Sequence, residues 1–131
     1  MKLLIVEDDF TSRLLLQELL KPYGLAHVAA NGREAVEAVR MSLESQLPYD
    51  LICLDIMMPD MDGQEALREI RALEESKGIS FNQGAKIVMI SALTDMHSKI
   101  SAFSGLCNGY LGKPIRKDKL LEELSSLGLI S

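Results

Sequence analysis

Few residues in this chain are of the kinds that crosslink or anchor a small protein. Tryptophan is absent, aromatic residues make up 5%, and there are two cysteines, Cys53 and Cys107. Two thiols so far apart form neither a Cys-x-x-Cys motif nor a disulfide framework, which favours a reducing, cytoplasmic setting. Apolar runs such as Leu51-Ile52-Cys53-Leu54 are far shorter than the ~20 residues of a membrane-spanning helix. The composition predicts an aliphatic core and no membrane span.

Positive charge is also in short supply. Lys and Arg number 14 against 19 Asp and Glu, and the formal net charge is −5. Because binding to nucleic acid needs a basic face, direct nucleic-acid binding is not expected. Met1–Val6 meets Glu7 without a long apolar region, so no secretory leader is expected. A length of 131 residues with 47% hydrophobic content predicts one globular domain.

Short apolar runs alternate along the chain with segments of helical period. Runs without polar alternation are typical of strands buried on both faces. The strand candidates are Leu3–Val6, His27–Ala30, Leu51–Leu54, Ile87–Ile90 and Asn108–Leu111. The helix candidates are Leu14–Leu19, Asn31–Val39, Gln64–Leu73, Thr94–Phe103 and Leu120–Leu127. This alternation predicts a doubly wound, five-stranded parallel sheet wrapped by five helices, and the polar stretch Glu74–Gly84 is predicted to be a loop.

Chemically active side chains follow the apolar runs. Glu7 and Asp8 come after the first run, Asp55 after the third, Ser91 after the fourth and Lys113 after the fifth. Ligands of doubly wound sheets bind at the carboxyl ends of the strands. If strands 1 and 3 are neighbours, their carboxylates crowd one area and need a proton or a cation. Hard oxygen ligands suit Mg²⁺, and lysine suits phosphate, so the set matches phosphoryl transfer to an aspartate.

Four motifs occur in a fixed order and cover essentially the whole chain. They are Ile5-Val6-Glu7-Asp8-Asp9, Leu54-Asp55-Ile56-Met57-Met58-Pro59-Asp60-Met61-Asp62-Gly63, Ile90-Ser91-Ala92 and Tyr110-Leu111-Gly112-Lys113-Pro114. With these motifs the chain resembles the receiver domains of two-component response regulators. The resemblance implies a flavodoxin-like α/β fold of strand order 2-1-3-4-5 flanked by five helices, as one receiver domain over residues 1–131.

The resemblance also implies the acceptor and the metal ligands. Asp55 would be the phosphoacceptor. Asp8, Asp55 and the backbone carbonyl of Met57 would bind Mg²⁺ directly, and Glu7 would hold a metal-bound water.

Three further residues receive roles in the same way. Ser91 and Lys113 would contact phosphoryl oxygens, and Tyr110 would turn inward when Ser91 moves. The Lys113–Pro114 bond is typically cis in this family. The implied function is a signalling switch phosphorylated by a sensor histidine kinase or a phosphotransfer protein. It assists its own phosphorylation and dephosphorylation without being a turnover enzyme. It would present its fourth helix, fifth strand and fifth helix to a downstream protein, or to a second copy in a homodimer.

Three other functions stay open at this point. A flavodoxin-like cofactor carrier would need a phosphate loop after strand 1, where Glu7-Asp8-Asp9 would repel a phosphate. A phosphatase with an aspartyl-phosphate intermediate often has a second Asp two residues after its nucleophile, but here that residue is Met57. A degenerate receiver would act only as a docking module. The kinase, the pathway, the output partner, the oligomeric state and membership of a longer protein are also open.

Several residues are better explained by structure than by chemistry. Asp9 is predicted to cap a helix rather than bind a metal, and Met61 to pack in a loop. Cys53 is expected to be inert in a strand, and Cys107 to be partly exposed. Arg116 belongs to a basic patch that is predicted to be a solvated helix start or a partner-docking surface rather than a nucleic-acid site.

Overall fold

The structure is a computed structural model that describes residues 1–58, 61–92 and 105–131. Within these residues, strands and helices alternate along the chain. They are β1 (Lys2–Val6), α1 (Phe10–Leu20), β2 (Leu25–Ala29), α2 (Gly32–Glu44), β3 (Leu51–Asp55), α3 (Gly63–Ser76), β4 (Lys86–Ala92), β5 (Gly109–Lys113) and the C-terminal helix (Lys117–Ser126). A 3₁₀ turn, Lys21–Tyr23, follows α1. The predicted helix Thr94–Phe103 lies outside the described residues.

The five strands form one parallel sheet in the order β2-β1-β3-β4-β5, which confirms the predicted fold. Val6 of β1 pairs with Leu54 of β3, and Ala92 of β4 pairs with Lys113 of β5. In a parallel sheet every strand ends at the same edge. The polar residues that follow β1 and β3 are therefore neighbours of those at the ends of β4 and β5.

Each central strand buries side chains on both faces of the sheet. Leu4 and Val6 pack against α2 and α3, whereas Leu3 and Ile5 pack against α1 and the C-terminal helix. All five residues of β3 are buried. Complete burial of a Leu or Ile side chain contributes about 1.5–3 kcal/mol, so these two aliphatic layers hold the sheet in place.

Three helices begin with a capping side chain directly after a strand or a loop. The side chains of Asp9, Asn31 and Asp62 each accept a hydrogen bond from the backbone nitrogen three residues further on, at 2.8–2.9 Å. Each such cap contributes roughly 1 kcal/mol. The predicted capping role of Asp9 is confirmed, and the caps fix where the loops at the carboxyl edge end.

The start of α3 approaches the end of β3 more closely than a side chain would allow. The Gly63 nitrogen donates to the carbonyl of Ile56 at 2.9 Å. A Cβ at Gly63 would lie 2.4 Å from the carbonyl oxygen of Asp55. Glycine at this position therefore lets the helix pack directly beneath Asp55.

The boundary predicted at the end of α3 is wrong. The sequence predicts a loop from Glu74, but α3 continues to Ser76. Glu74 is only 3% exposed and forms a 2.7 Å ion pair with Arg71, one turn earlier. A polar composition suggests a loop, but here the polar side chains face the protein interior and bind each other.

Both thiols are free and buried. Burial raises the pKa of Cys53 to about 12, so it is protonated and unreactive, as predicted. Cys107 is also buried, at 8% exposure, so the prediction of partial exposure is wrong. In the part of the chain that the structure describes, no helix has the length and apolarity needed to cross a membrane.

Candidate functional site

Three carboxylates meet at the carboxyl edge of the sheet. Glu7 and Asp8 directly follow β1, and Asp55 is the last residue of β3. Ligand oxygens from the three side chains all lie within 4.8 Å of one another. Glu7 and Asp55 are buried, at 0% and 2% exposure, whereas Asp8 is exposed. The strand order thus brings together three predicted site residues that are far apart in sequence.

One lysine joins the two buried carboxylates. Lys113 Nζ lies 3.1 Å from Glu7 Oε2 and 3.2 Å from Asp55 Oδ2. The Glu7 contact at Oε2 lacks hydrogen-bond geometry, so Oε2 has an ionic contact but no hydrogen-bond partner among the described residues. Burial disfavours the Lys113 ammonium, but attraction to Asp55 and Glu7 outweighs it and raises the pKa of Lys113. The ammonium therefore stays charged.

The surroundings of Glu7 disfavour the ionised form of its carboxyl group. Burial, a hydrogen bond shared with Asp55 and repulsion from that carboxylate raise the pKa of Glu7 to about 7. The backbone nitrogen of Asp9 and the Lys113 ammonium oppose this shift. Three carboxylates and one ammonium carry a formal charge of −2 when all are ionised. Since all three acids offer hard oxygen donors, the group is one that could hold a divalent cation.

Ser91 places an unsatisfied hydroxyl at the same edge. Its side chain is 1% exposed, and Oγ finds no hydrogen-bond partner among the described residues. Ser91 pairs with Gly112 in the sheet, one residue before Lys113. A buried hydroxyl without a partner is costly, so this donor is available to an oxyanion bound at the strand ends.

Two methionines of the loop after β3 have different environments. The Met57 backbone nitrogen donates to Asp55 Oδ1 at 3.2 Å, and its side chain is 54% exposed. The ligand role of the Met57 carbonyl stays a prediction. Met61 is buried in the core between the sheet and helices α2 and α3, which confirms its predicted packing role.

Tyr110 lies half-buried on β5, away from the acidic group. It packs against the core layer that contains Cys107. Burial and a side-chain interaction with Cys107 raise the pKa of Tyr110 to about 12. The Lys113–Pro114 bond that follows β5 is cis, as the family resemblance implies.

A polar group at the opposite edge of the sheet was missed in the sequence. Arg71 and Glu74 of α3 are buried and bind each other, and Arg71 also donates to Asn108, just before β5. Their spacing of three residues, in phase with buried Leu67 and Ile70, places both charged residues on the inner face of the helix. This helical phase is the feature of the sequence that could have predicted that both charged residues are buried.

The chain belongs to the response regulator receiver domain family, whose model it matches over residues 3–125. It is therefore a phosphoacceptor signalling domain of two-component systems. This result confirms the family inferred from the four sequence motifs, and it agrees with the strand order of the sheet.

Similar proteins differ widely in length. The chain is 38% identical to hybrid signal transduction histidine kinase B of Dictyostelium discoideum over 129 residues, which are 94% of this chain but 6% of the kinase. It is 32% identical to the chemotaxis protein CheY of Listeria monocytogenes, covering 95% of each chain. It matches a smaller share, 25%, of the transcriptional regulatory protein ZraR of Klebsiella oxytoca. The chain therefore spans nearly the whole length of some relatives and a small part of others.

Solved structures show the same fold. The receiver domain of Saccharomyces cerevisiae Ssk1, crystallised with the histidine phosphotransfer protein Ypd1, has a TM-score of 0.79 at 30% identity. That match covers 98% of this chain and 88% of the other. The receiver domain of the Arabidopsis thaliana histidine kinase CKI1, in complex with Mg²⁺ and BeF₃⁻, has a TM-score of 0.71 at 28% identity. It covers 95% of this chain and 89% of the other.

The raised pKa of Glu7 predicts how stability depends on pH without a metal ion. Unfolded Glu7 ionises near pH 4.5, whereas folded Glu7 keeps its proton up to about 7. Between these values deprotonation favours the unfolded chain, so the free energy of unfolding should fall as the pH rises. Glu7→Gln should remove this component of the slope. Glu69→Gln, an exposed acid on α3, should leave it unchanged.

Urea unfolding in the presence of a chelator, across pH 4.5 to about 7, measures this slope. A Glu7→Gln variant with the same slope as wild type would show that Glu7 is not the group that titrates.

Proposed function

We propose that Asp55 is the phosphoacceptor and that the surrounding acids bind Mg²⁺. The observation that carries this proposal is the position of Asp55, buried at the end of β3 with Lys113 3.2 Å from Oδ2. The oxygens of Glu7 and Asp8 lie within 4.8 Å of the Asp55 carboxylate. A nucleophilic carboxylate, an ammonium and a group of hard oxygen donors are the parts that phosphoryl transfer requires.

Bound Mg²⁺ would neutralise the charge of the carboxylates and of the incoming phosphoryl oxygens. Asp8, Asp55 and the Met57 carbonyl would hold it directly, and Glu7 would hold a coordinated water. The −2 charge that remains after pairing with Lys113 supports a divalent ion.

The protein groups divide the remaining work. An oxygen of Asp55 forms a bond to phosphorus while the bond from phosphorus to the imidazole nitrogen of the donor breaks. Lys113 then moves its contact from Glu7 and Asp55 to a phosphoryl oxygen, and the unsatisfied Ser91 hydroxyl donates to another. Water later attacks the phosphorus, which releases inorganic phosphate and restores the carboxylate. The domain thereby assists its own modification without turning over a separate substrate.

The response would spread through Ser91 and Tyr110. We propose that Ser91 shifts toward the phosphoryl group and that Tyr110 moves inward after it. A groove of about 400 Å³ beside β5 and the C-terminal helix, lined by Tyr110, Lys113, Arg116, Lys119 and Glu122 among others, then changes shape for a downstream partner. The predicted fourth helix, the other part of this face, lies outside the described residues.

The donor would be a histidine kinase or a phosphotransfer protein, as in the complex formed by the similar Ssk1 receiver. Exposed apolar side chains follow the acids of the site closely in the sequence, Phe10 after Asp8 and Met57 after Asp55. Phe10 and Leu14 on α1 are 67% and 47% exposed, and Met57 is 54% exposed. Phe10 comes two residues after Asp8, so a protein that delivers a phosphoryl group to Asp55 meets this apolar surface.

The alternative functions have less support. A cofactor carrier would bring phosphate oxygens against buried Glu7 and Asp55, which already repel each other. A receiver used only for docking has no need of two buried acids beside each other, because replacing one of them with a neutral side chain would relieve their repulsion.

Replacing the acceptor tests the chemistry. Asp55→Asn should abolish the mass gain of one phosphoryl group after incubation with acetyl phosphate and Mg²⁺, because an amide is no nucleophile for phosphorus. Asp118→Asn, at an exposed acid of the C-terminal helix, should be phosphorylated like wild type. Intact mass spectrometry measures both. A fully phosphorylated Asn variant would refute the assignment of Asp55.

Truncating the apolar surface of α1 tests the donor. Phe10→Ala with Leu14→Ala should slow phosphoryl transfer from a phosphotransfer protein about tenfold or more, since loss of anchoring side chains costs 1 kcal/mol or more each. Phosphorylation by acetyl phosphate should be unchanged, because the small donor needs no docking surface. Leu25→Ala, at a leucine on β2 that is 71% exposed, is the control. Equal rates of transfer to both variants would count against this surface.

A further inference from the structure

The buried guanidinium of Arg71 links α3 to the segments that precede β4 and β5, the strands of Ser91 and Tyr110. The Arg71 side chain is 9% exposed and donates four hydrogen bonds. Two of them, at 2.7 Å and 2.9 Å, reach Glu74 of its own helix and the carbonyl of Ala85, just before β4. The other two, at 2.7 Å and 2.8 Å, reach the carbonyl of Leu106 and the side chain of Asn108, just before β5.

Two partners of Arg71, Glu74 and Asn108, also form hydrogen bonds with backbone groups at the start of β4. Asn108 Oδ1 also accepts from the Ile87 nitrogen at 2.8 Å, and the Asn108 nitrogen donates to the Ile87 carbonyl at 2.7 Å. These two bonds extend the pairing of β4 and β5 by one residue. The second carboxylate oxygen of Glu74 accepts from the Ala85 nitrogen at 2.8 Å. The amino end of β5 is therefore bonded to α3 through Arg71 and to β4 through Asn108.

The two Arg71 bonds on this segment flank the residue that touches the switch tyrosine. Cys107 lies between Leu106 and Asn108 and is buried in the core layer against which Tyr110 packs. Cys107 and Tyr110 share this layer, and a side-chain interaction with Cys107 contributes to the raised pKa of Tyr110. Three residues later, Lys113 reaches Asp55. β5 is thus held at its amino end by Arg71 and at its carboxyl end by the proposed acceptor.

We propose that Arg71 is a positioning residue for the switch, which fixes Cys107 through Leu106 and Asn108 and so holds Tyr110 in its unphosphorylated position. This inference rests on the proposed function of Asp55, Ser91 and Tyr110. Phosphorylation changes the contacts of Lys113 at one end of β5, and a fixed opposite end makes Tyr110 respond to that change. With a loose amino end, Tyr110 would move without phosphate.

The role needs arginine and not merely a positive charge. The planar guanidinium presents its donors in a rigid fork, and here it reaches acceptors on three chain segments at once. A lysine would keep the ion pair with Glu74 but could not bridge Leu106 and Asn108 with the same geometry. Arg71→Lys therefore separates anchoring of the segment from charge.

The experiment follows Tyr110 directly. The chain has three tyrosines, so protein labelled with 3-fluorotyrosine gives a small set of fluorine resonances, and Tyr110→Phe assigns one of them. Spectra are recorded before and after phosphorylation with acetyl phosphate and Mg²⁺, and intact mass gives the extent of phosphorylation. The variants are Arg71→Lys and Cys107→Ala, which leaves the Arg71 contacts in place. The control is Arg68→Lys, at an exposed arginine of the same helix.

In both variants the unphosphorylated Tyr110 resonance should move toward the phosphorylated position of wild type, by about a third or more of the full change. Phosphorylation by acetyl phosphate should persist, and Arg68→Lys should match wild type. Tyr110 resonances at wild-type positions in both states, with only a lower melting temperature, would overturn the inference and leave Arg71 a structural residue.

If Arg71→Lys does not fold, Asn108→Ala, which removes one acceptor of the Arg71 guanidinium, decides by the same criterion. Failure of wild type to gain phosphoryl mass is a separate outcome, which would overturn the proposed function and this switch role with it.

Discussion

Two buried carboxylates share one ammonium at the carboxyl edge of the sheet, and much of the molecule serves to keep them there. Glu7 and Asp55 sit at the ends of neighbouring strands, and Lys113 lies 3.1–3.2 Å from both. The aliphatic layers on the two faces of the sheet stabilise this unfavourable grouping. The helix cap at Asp9 and the close approach at Gly63 hold the adjoining loops. The net negative charge that remains favours binding of a divalent cation. The bound cation would in turn attract the oxygens of a phosphoryl group.

The two ends of β5 have complementary properties. At the carboxyl end, Lys113 binds acids whose charge changes with metal and phosphate, and the Ser91 hydroxyl nearby has no partner among the described residues. At the amino end, Arg71 donates four hydrogen bonds and Asn108 Oδ1 accepts two. A strand anchored at one end and electrostatically adjustable at the other can transmit a local change over its length, since packed elements shift between discrete arrangements rather than deform gradually.

Much of this arrangement could be predicted from sequence because the signals are local. Unbroken apolar runs predicted β1, β3 and β4, and weaker candidate segments predicted β2 and β5. The acids after β1 and β3 predicted where charge would accumulate. The predictions made for Glu74 and Cys107 were wrong, because their environments depend on residues distant in sequence. A polar stretch predicted a loop where α3 continues, because burial of Glu74 depends on Arg71 and on the backbone of Ala85, which only the tertiary fold brings together. The environment of Cys107 likewise depends on how β5 enters the sheet.

The central claim is that the carboxyl edge carries excess negative charge until a divalent cation binds. Thermal unfolding of wild type and Asp55→Asn, first in chelator and then with increasing Mg²⁺, tests it most directly. In chelator the Asn variant should melt higher, because it removes one of the three negative charges beside Lys113, and each kcal/mol corresponds to about 4 °C. Mg²⁺ should then stabilise wild type more than the variant. A wild type that melts higher than Asp55→Asn in chelator, or an equal gain from Mg²⁺ in both proteins, would contradict the account.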